Sequence, residues 1–259
     1  MDPRAIANVL IEAERTRAPV GAFTRTQFFL EIDTAYKAQA LFVDHRLRAG
    51  EHLIGAKLGL TSRVKRAALG IDEPVFGRLT SGMLLPAGEP VPLHQLIHPR
   101  AEPEIAFLIG RDLDGPVTPA GVLAATYAVV PAVEVMASRY ADRFRLPDSI
   151  SDNAGAARVV LGSRPGSPSE LGDLRLIGCA FRCRDEIVDT AAGGAVMGDP
   201  AAAVAWLATS LAARGEHLPA GSTVLSGGFT ASVSLTPGAN VVAEFDGLGS
   251  VEVTAEEEQ

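Results

Sequence analysis

The stretch HPRAEPEIAFLIG, residues 98–110, reads as a buried strand whose mouth carries two carboxylates, Glu102 and Glu104. Successive side chains of a strand leave on opposite faces, so residues two apart share a face and these two glutamates project together. Like charges held that close repel, and either one is protonated or a cation sits between them. Pro103 has no N–H to give a ladder, which leaves a second reading in which the residues before Ile105 are solvated loop and both glutamates face water.

Outward from this strand, short strands dominate from Val75 onward. The segments STVLSGG (222–228), TASVSL (230–235), NVVAEF (240–245) and SVEVTA (250–255) are separated by turn chemistry at Pro237 with Gly238 and at Asp246 with Gly247, which predicts an antiparallel meander or roll. Two helices interrupt the strands. TPAGVLAATYAV (118–129) opens on Thr118 and Pro119, and DPAAAVAWLATSLAARG (199–215) opens on Asp199. Upstream, Asp2 and Pro3 suit a helix start, with Ile6, Val9, Leu10 and Ala13 on one apolar face. A second helix carries Ile32, Tyr36, Ala40, Val43 and Leu47 at steps of three and four and ends at Gly50. LIGAKLGL (53–60) is then a short strand, and Ser62 caps a brief helix that closes at Gly70. No strand–helix alternation sustains a doubly wound sheet, and no glycine-rich phosphate loop follows a strand. The expected fold class is α+β: a mixed, mainly antiparallel β roll formed by one domain over 1–259, with 1–50 a helical N-terminal arm.

Apolar residues make up 47% of the chain and charged residues 21%, with a net charge of −8 that disfavours a phosphate-backbone partner. The N-terminal MDPRAIANVLIEAERTR mixes both charges among apolar residues, and no uninterrupted apolar run approaches the ~20 residues of a membrane span. The expectation is a cytoplasmic protein without nucleic-acid or membrane partners. Cys179 and Cys183 would share a strand face roughly 13 Å apart at ~3.3 Å per residue, too far for a disulfide. His94 and His98 have helical metal-pair spacing, but the surrounding prolines argue against a helix, and both are expected to be structural.

A third carboxylate, Glu134, lies in the apolar run VVPAVEVMASRY (129–140), where an ionised group costs several kcal/mol unless a partner offsets it. Lys57, among glycine, alanine and leucine, raises the same problem with opposite sign. Either Lys57 forms a buried ion pair with a glutamate, or three glutamates hold Mg²⁺ or Mn²⁺ with the lysine beside the metal as acid, base or substrate anchor. All-oxygen ligands favour those hard ions over zinc.

GAKLGLTS (55–62), IDEPVFGRL (71–79), HPRAEPEIAF (98–107), VVPAVEVMASRY, SDNAGAARVVLG (151–162), DPAAAVAWLA (199–208), RGEHLPAG (214–221), VLSGGFTA (224–231) and FDGLGSV (245–251) together resemble the ordered motifs of one family. It is the hydratase/decarboxylase branch of the fumarylacetoacetate hydrolase superfamily. The resemblance implies a fumarylacetoacetase C-terminal-like fold, a Mg²⁺ (or Mn²⁺) cofactor held by Glu102, Glu104 and Glu134, and Lys57 as the active-site lysine. It places Asp152, Asn153, Ser226, Gly227 and Gly228 in the substrate pocket. It further implies a homo-oligomer, in some members complexed with a related hydratase, acting on a small 2-oxo acid in meta-cleavage aromatic degradation. SGGFTA and RGEHLPAG resemble the decarboxylase pattern, so the expected reaction is loss of CO₂ from 2-oxohex-3-enedioate to give 2-hydroxypenta-2,4-dienoate. The alternatives are hydration of that dienoate, or a non-catalytic role as partner of such a hydratase. Two departures stand out. Thr80, Ser81, Gly82 and Met83 follow Leu79 where relatives commonly have an aspartate, and the helix entry reads GDP with Asp199 rather than GHP.

Overall fold

A computed structural model describes residues 1–26 and 29–257. Gln27 and Phe28, inside the expected helical arm, and the last two residues lie outside the described residues. In chain order the elements are α1 (Pro3–Thr16), α2 (Phe23–Thr26), α3 (Ile32–Arg48), β1 (Leu53–Gly59), α4 (Arg63–Leu69), β2 (Val75–Thr80), β3 (Arg100–Ile109), α5 (Pro119–Ala125), β4 (Thr126–Met136) and α6 (Leu146–Ser151). They continue with β5 (Ala156–Leu161), α7 (Pro168–Leu171), β6 (Gly178–Cys183), β7 (Glu186–Ala192), α8 (Pro200–Ala212), β8 (Thr223–Leu225), β9 (Val233–Ser234), β10 (Asn240–Phe245) and β11 (Gly249–Thr254).

Two sheets form. The larger runs β2-β1-β8-β3-β4-β5 with β9 added beside β3, and the smaller runs β11-β10-β6-β7. All neighbours are antiparallel except β1 and β8, which pair in parallel through Gly55↔Thr223 to Lys57↔Leu225. The fold is therefore α+β, with a mixed larger sheet and an antiparallel smaller one. The expected C-terminal meander is divided between them: β8 enters the middle of the larger sheet, and only β10 and β11 close a hairpin, in the smaller one.

Caps follow the sequence. The Asp2 carboxylate accepts the Arg4 N–H at the start of α1, and the Asp199 carboxylate accepts the Ala201 N–H at the start of α8. The helix expected over 118–129 ends early, because Thr126 Oγ1 donates to the Val122 carbonyl and the chain turns extended. Beyond it lie Val129, Val130, Val133 and Val135 with Pro131, and β-branched residues around a proline that cannot continue a helix make a strand instead. In α3 the buried stripe is Ala35, Tyr36, Ala38, Gln39, Phe42 and Val43, rotated from the expected one; Ile32 and Ala40 are exposed. The polar Gln39 is buried because its amide donates at 2.9 Å to both the Phe76 and Ile150 carbonyls. That ties the N-terminal arm to β2 and α6 beside the site.

The stretch Gly193–Ala212 has the length and mean hydropathy (1.3) of a membrane span. Its α8 portion is apolar because it is an interior helix, with Val204, Leu207 and Leu211 buried in the core. Burying such a side chain contributes about 1.5–3 kcal/mol, and Leu207→Ala would cost roughly 2–5 kcal/mol through the cavity it leaves.

Candidate metal centre and cavity

The longest ladder in the molecule builds the site. β3 and β4 pair from Arg100↔Met136 to Ile109↔Thr126, with Glu102 directly opposite Glu134 and Glu104 opposite Ala132. Residues 100–104 are thus strand, Pro103 included, and the solvated-loop reading of the two glutamates does not hold. One carboxylate oxygen from each of Glu102, Glu104 and Glu134 lies within 4.8 Å of the others. Glu104 and Glu134 are fully buried.

Lys57 arrives from β1, two strands away. The strand between them, β8, ends at Leu225, in register with both Lys57 and Ala106. Lys57 Nζ lies 2.9 Å from Glu134 Oε2 and donates to the Ala154 carbonyl at 3.0 Å. After β8 the chain runs through two glycines that the site requires. Gly227 has φ +103 and donates its N–H to Glu104 Oε2 at 2.7 Å, and a Cβ there would sit 2.3 Å from Thr61 Oγ1. A Cβ on Gly228 would come 2.4 Å from Glu102 Oε2.

Burial dominates the electrostatics of Glu104 and Glu134. Burial, then the neighbouring Glu134 charge, pushes the Glu104 carboxyl well above the usual carboxylate range. Burial also raises Glu134, against the pull of Lys57. Burial would lower Lys57, but the fields of Glu134 and Glu104 outweigh it and hold the ammonium protonated. Glu104 Oε1 and Glu134 Oε1 are buried without a hydrogen-bond partner, the kind of vacancy a metal ligand leaves in a buried site. A hard divalent ion fits this all-oxygen donor set and would balance three carboxylates together with Lys57.

The SDNA segment takes several parts. Asp152 is buried against Arg139, accepting from its guanidinium and, at 3.0 Å, from its backbone N–H. Ser138 Oγ also donates to it at 3.3 Å. Burial raises the Asp152 carboxyl to about 6, with Arg139 opposing. Asn153 turns away from the cavity: its amide accepts from the Arg78 N–H at 2.7 Å and donates to the Arg78 carbonyl at 2.9 Å. Asn153, Ala154 and Gly155 all have positive φ, a constrained turn that aims the Ala154 carbonyl at Lys57.

A cavity of about 400 Å³ opens beside the cluster, lined by Lys57, Glu102, Ser138, Tyr140, Asp152 and Gly228 on its polar side and by Leu60, Val75, Met136 and Phe144 on its apolar side. Of the residues expected in the pocket, Asp152 and Gly228 line it, whereas Asn153, Ser226 and Gly227 stand behind the lining as supports. Thr80, Ser81, Gly82 and Met83 lie outside the lining, and the Gly82 N–H is taken by Glu51. The sequence reading missed His98 and Arg100, which both line the cavity. The period-two alternation that paired Glu102 with Glu104 also reaches back to Arg100 and could have found it. His94 lies outside that lining, its ring Nδ1 2.7 Å from Glu256 Oε2, whereas His98, expected to be structural with it, is part of the lining.

Comparison with known proteins agrees with this architecture. Residues 53–255 match the family described as fumarylacetoacetate (FAA) hydrolase C-terminal. A 4-oxalocrotonate decarboxylase of Pseudomonas sp. (strain CF600) is 42% identical over 219 residues, 84% of this chain and 83% of that protein. A 2-keto-4-pentenoate hydratase of Paraburkholderia xenovorans (strain LB400) is 39% identical over 255 residues, 98% of this chain and 94% of that protein. The structure of a 4-oxalocrotonate decarboxylase from Pseudomonas putida G7, complexed with magnesium and adipate, superposes with a TM-score of 0.93 at 36% identity, covering 99% of this chain and 97% of that one. A second structure of that enzyme is complexed with calcium and acetate. The motif order, the carboxylate cluster and these relatives lead to one assignment: the chain belongs to the fumarylacetoacetate hydrolase family, in the branch that holds its decarboxylases and hydratases.

Proposed function

We propose that this chain is a Mg²⁺-dependent carbon–carbon lyase that decarboxylates 2-oxohex-3-enedioate to 2-hydroxypenta-2,4-dienoate, with Mn²⁺ able to replace Mg²⁺. The observation that carries this reading is a buried three-carboxylate cluster with Lys57 at the wall of a cavity, on a backbone matching a decarboxylase complexed with magnesium and a six-carbon dioate. Glu102, Glu104 and Glu134 would hold the ion, which when bound supplies Lewis-acid stabilisation of the charge developing on the substrate's 2-oxo oxygen. Loss of CO₂ leaves that oxygen in need of one proton, and Lys57, held between Glu134 and the Ala154 carbonyl, is the protonated group poised to hold or deliver it. Leu60, Val75, Met136 and Phe144 present an apolar wall that excludes water from the carbon chain. Asp152 fixes Ser138 and Arg139 at the cavity edge.

Hydration of 2-hydroxypenta-2,4-dienoate is the second reading, favoured by hydratase relatives that align over nearly the whole chain. CO₂ release from 2-oxohex-3-enedioate, followed with purified protein and Mg²⁺, decides between them.

One catalytic domain over 1–259 is part of this reading, since Gln39, Tyr36 and Glu14 of the N-terminal arm contact Phe76, Ile150 and Arg139 around the site. Self-association is also part of it, supported by the apolar side chains Leu176, Ile187 and Val188, the latter two on the sheet-edge strand β7, which are exposed by 74%, 53% and 42%. A cytoplasmic setting is in keeping with the free thiols of Cys179 and Cys183.

A further inference from the structure

Arg100 opens β3 two residues before Glu102, so Arg100, Glu102 and Glu104 stand on one face of the same strand. A guanidinium thus lines the cavity on the row that carries two of the carboxylates. It is tethered from β9 and its flank: Nε donates to Ser232 Oγ at 2.7 Å, one terminal nitrogen to Ser234 Oγ at 2.9 Å, and the other to the Ser232 carbonyl at 2.6 Å. β9 is two residues long and pairs with β3 at Arg100↔Ser234 and Ala101↔Val233, so its register sets the tether. Each terminal nitrogen keeps one further N–H, a fork matched to a carboxylate. Among the described residues no carboxylate forms an ion pair with Arg100. The chain enters this strand through His98 at φ +50, a conformation that a non-glycine residue holds only where its surroundings impose it, and His98 lines the same cavity.

Charge singles out Arg100. Glu134 is matched by Lys57 and Asp152 by Arg139, and the glutamate cluster would hold the divalent ion. A dianionic ligand therefore finds in this lining one tethered guanidinium that no carboxylate already neutralises. The spacing suits a dioate: Arg100 lies about 7 Å along the strand from Glu102, and the carboxyl carbons of an extended six-carbon dioate are roughly 6 Å apart.

Resting on the reading that the 2-oxo acid end of the substrate lies at the three carboxylates, we propose that Arg100 is the specificity-determining residue that takes the far carboxylate and so separates dioates from 2-oxo monoacids. The far carboxylate is the group that leaves as CO₂, so its partner favours the bound substrate over the transition state. Its removal should therefore raise KM without lowering kcat.

Calorimetry on the Mg²⁺-loaded protein with 2-oxohexanedioate and with 2-oxohexanoate, which lacks the far carboxylate, tests this. The wild type should prefer the dioate by roughly ten-fold, the strength of a charge-assisted contact at a solvent-accessible site. Arg100→Met should erase that preference with the monoacid affinity unchanged, and should raise KM for 2-oxohex-3-enedioate without lowering kcat. Arg100→Lys should keep part of the preference. Ser232→Ala with Ser234→Ala, which leaves the charge and only the Ser232 carbonyl of its tether, should narrow it. A preference that survives Arg100→Met, or two affinities that fall together, overturns the assignment of Arg100 alone. A wild type that binds neither acid in a Mg²⁺-dependent way overturns the reading of the carboxylate cluster, and this assignment with it.

Discussion

Glu102 and Glu134 are register partners, directly opposed across the β3–β4 ladder. Like charges in that position destabilise a sheet. Glu104, on the same face of β3, adds a third carboxylate to the pair, and Lys57 answers only one of the three within hydrogen-bond distance. As the proposed ligands of a divalent ion, the three carboxylates would exchange stability of the metal-free protein for a preformed site.

Glu104→Gln should show both sides of that exchange. The amide keeps the shape and removes a charge whose ionisation burial and Glu134 oppose. In chelator the variant should be more stable than the wild type by about 1 kcal/mol, a rise in Tm of roughly 2–4 °C for a chain of this size. With Mg²⁺ the order should reverse, since the wild type alone gains stability from binding. Isothermal calorimetry should show Mg²⁺ affinity greatly weakened; unchanged affinity would remove Glu104 from the ligand set.

Lys57→Met should abolish turnover, and the structure adds a stability effect. Lys57 is the hydrogen-bonding cation of a buried Glu134, and leaving a buried charge alone costs about 3–5 kcal/mol. Denaturant midpoints should therefore fall in Lys57→Met and recover in the double variant with Glu134→Gln, while activity stays lost in both. Recovery of activity in the double variant would relegate Lys57 to a structural counter-charge.

Much of this site could be read from residue spacing, and the limits are physical. Glu102, Glu104, Glu134 and Lys57 were legible because a charge in an apolar strand is costly and alternation fixes which charges share a face. Asn153 stands behind the cavity lining because a motif gives position along the chain, whereas the consecutive positive φ angles from Asn153 to Gly155 decide which side chain meets the cavity. The early end of α5 follows from Pro131 and the β-branched valines beyond it, which outweigh the helix periodicity. The buried face of α3 depended on Gln39 finding two carbonyl acceptors, Phe76 and Ile150, that are remote in sequence.

Asp152 should give stability a measurable pH slope. Its carboxyl titrates near 6 in the folded chain and near 3.8 when unfolded, so the folded state binds its proton more tightly. The contribution to stability is full below the unfolded value, is lost as pH rises through the folded one, and levels off above it. The two pKa values differ enough for a change of about 3 kcal/mol. The stability of the wild type relative to Asp152→Asn, from urea denaturation, should fall between pH 4 and 6 and be flat from 7 to 8. A carbon-detected NMR titration of Asp152 with a midpoint near 4 would contradict this.

The reaction itself can be tested by removing the leaving group. In 2-oxohex-3-enedioate the far carboxylate is vinylogous to a β-keto acid, so its departure moves electrons through the alkene to the 2-oxo oxygen, where one proton completes 2-hydroxypenta-2,4-dienoate. An analogue that keeps the 2-oxo acid but carries a methyl group in place of the far carboxylate should compete for the site and release nothing. Hydration of 2-hydroxypenta-2,4-dienoate should be slow even where the dienoate binds. Thr80, Ser81, Gly82 and Met83 offer no carboxylate after Leu79, and beside Glu102 the described lining of the cavity holds one further carboxylate, Asp152, already engaged by Arg139 and Ser138. Among the described residues a water bound there finds no unengaged carboxylate to position it, and His98 is the remaining base in the lining. Coupled detection of CO₂ with ultraviolet absorbance of the dienoate separates the outcomes: CO₂ and dienoate appearing together from the dioate supports decarboxylation. Rapid loss of dienoate absorbance with no CO₂ from the dioate assigns the chain to hydration.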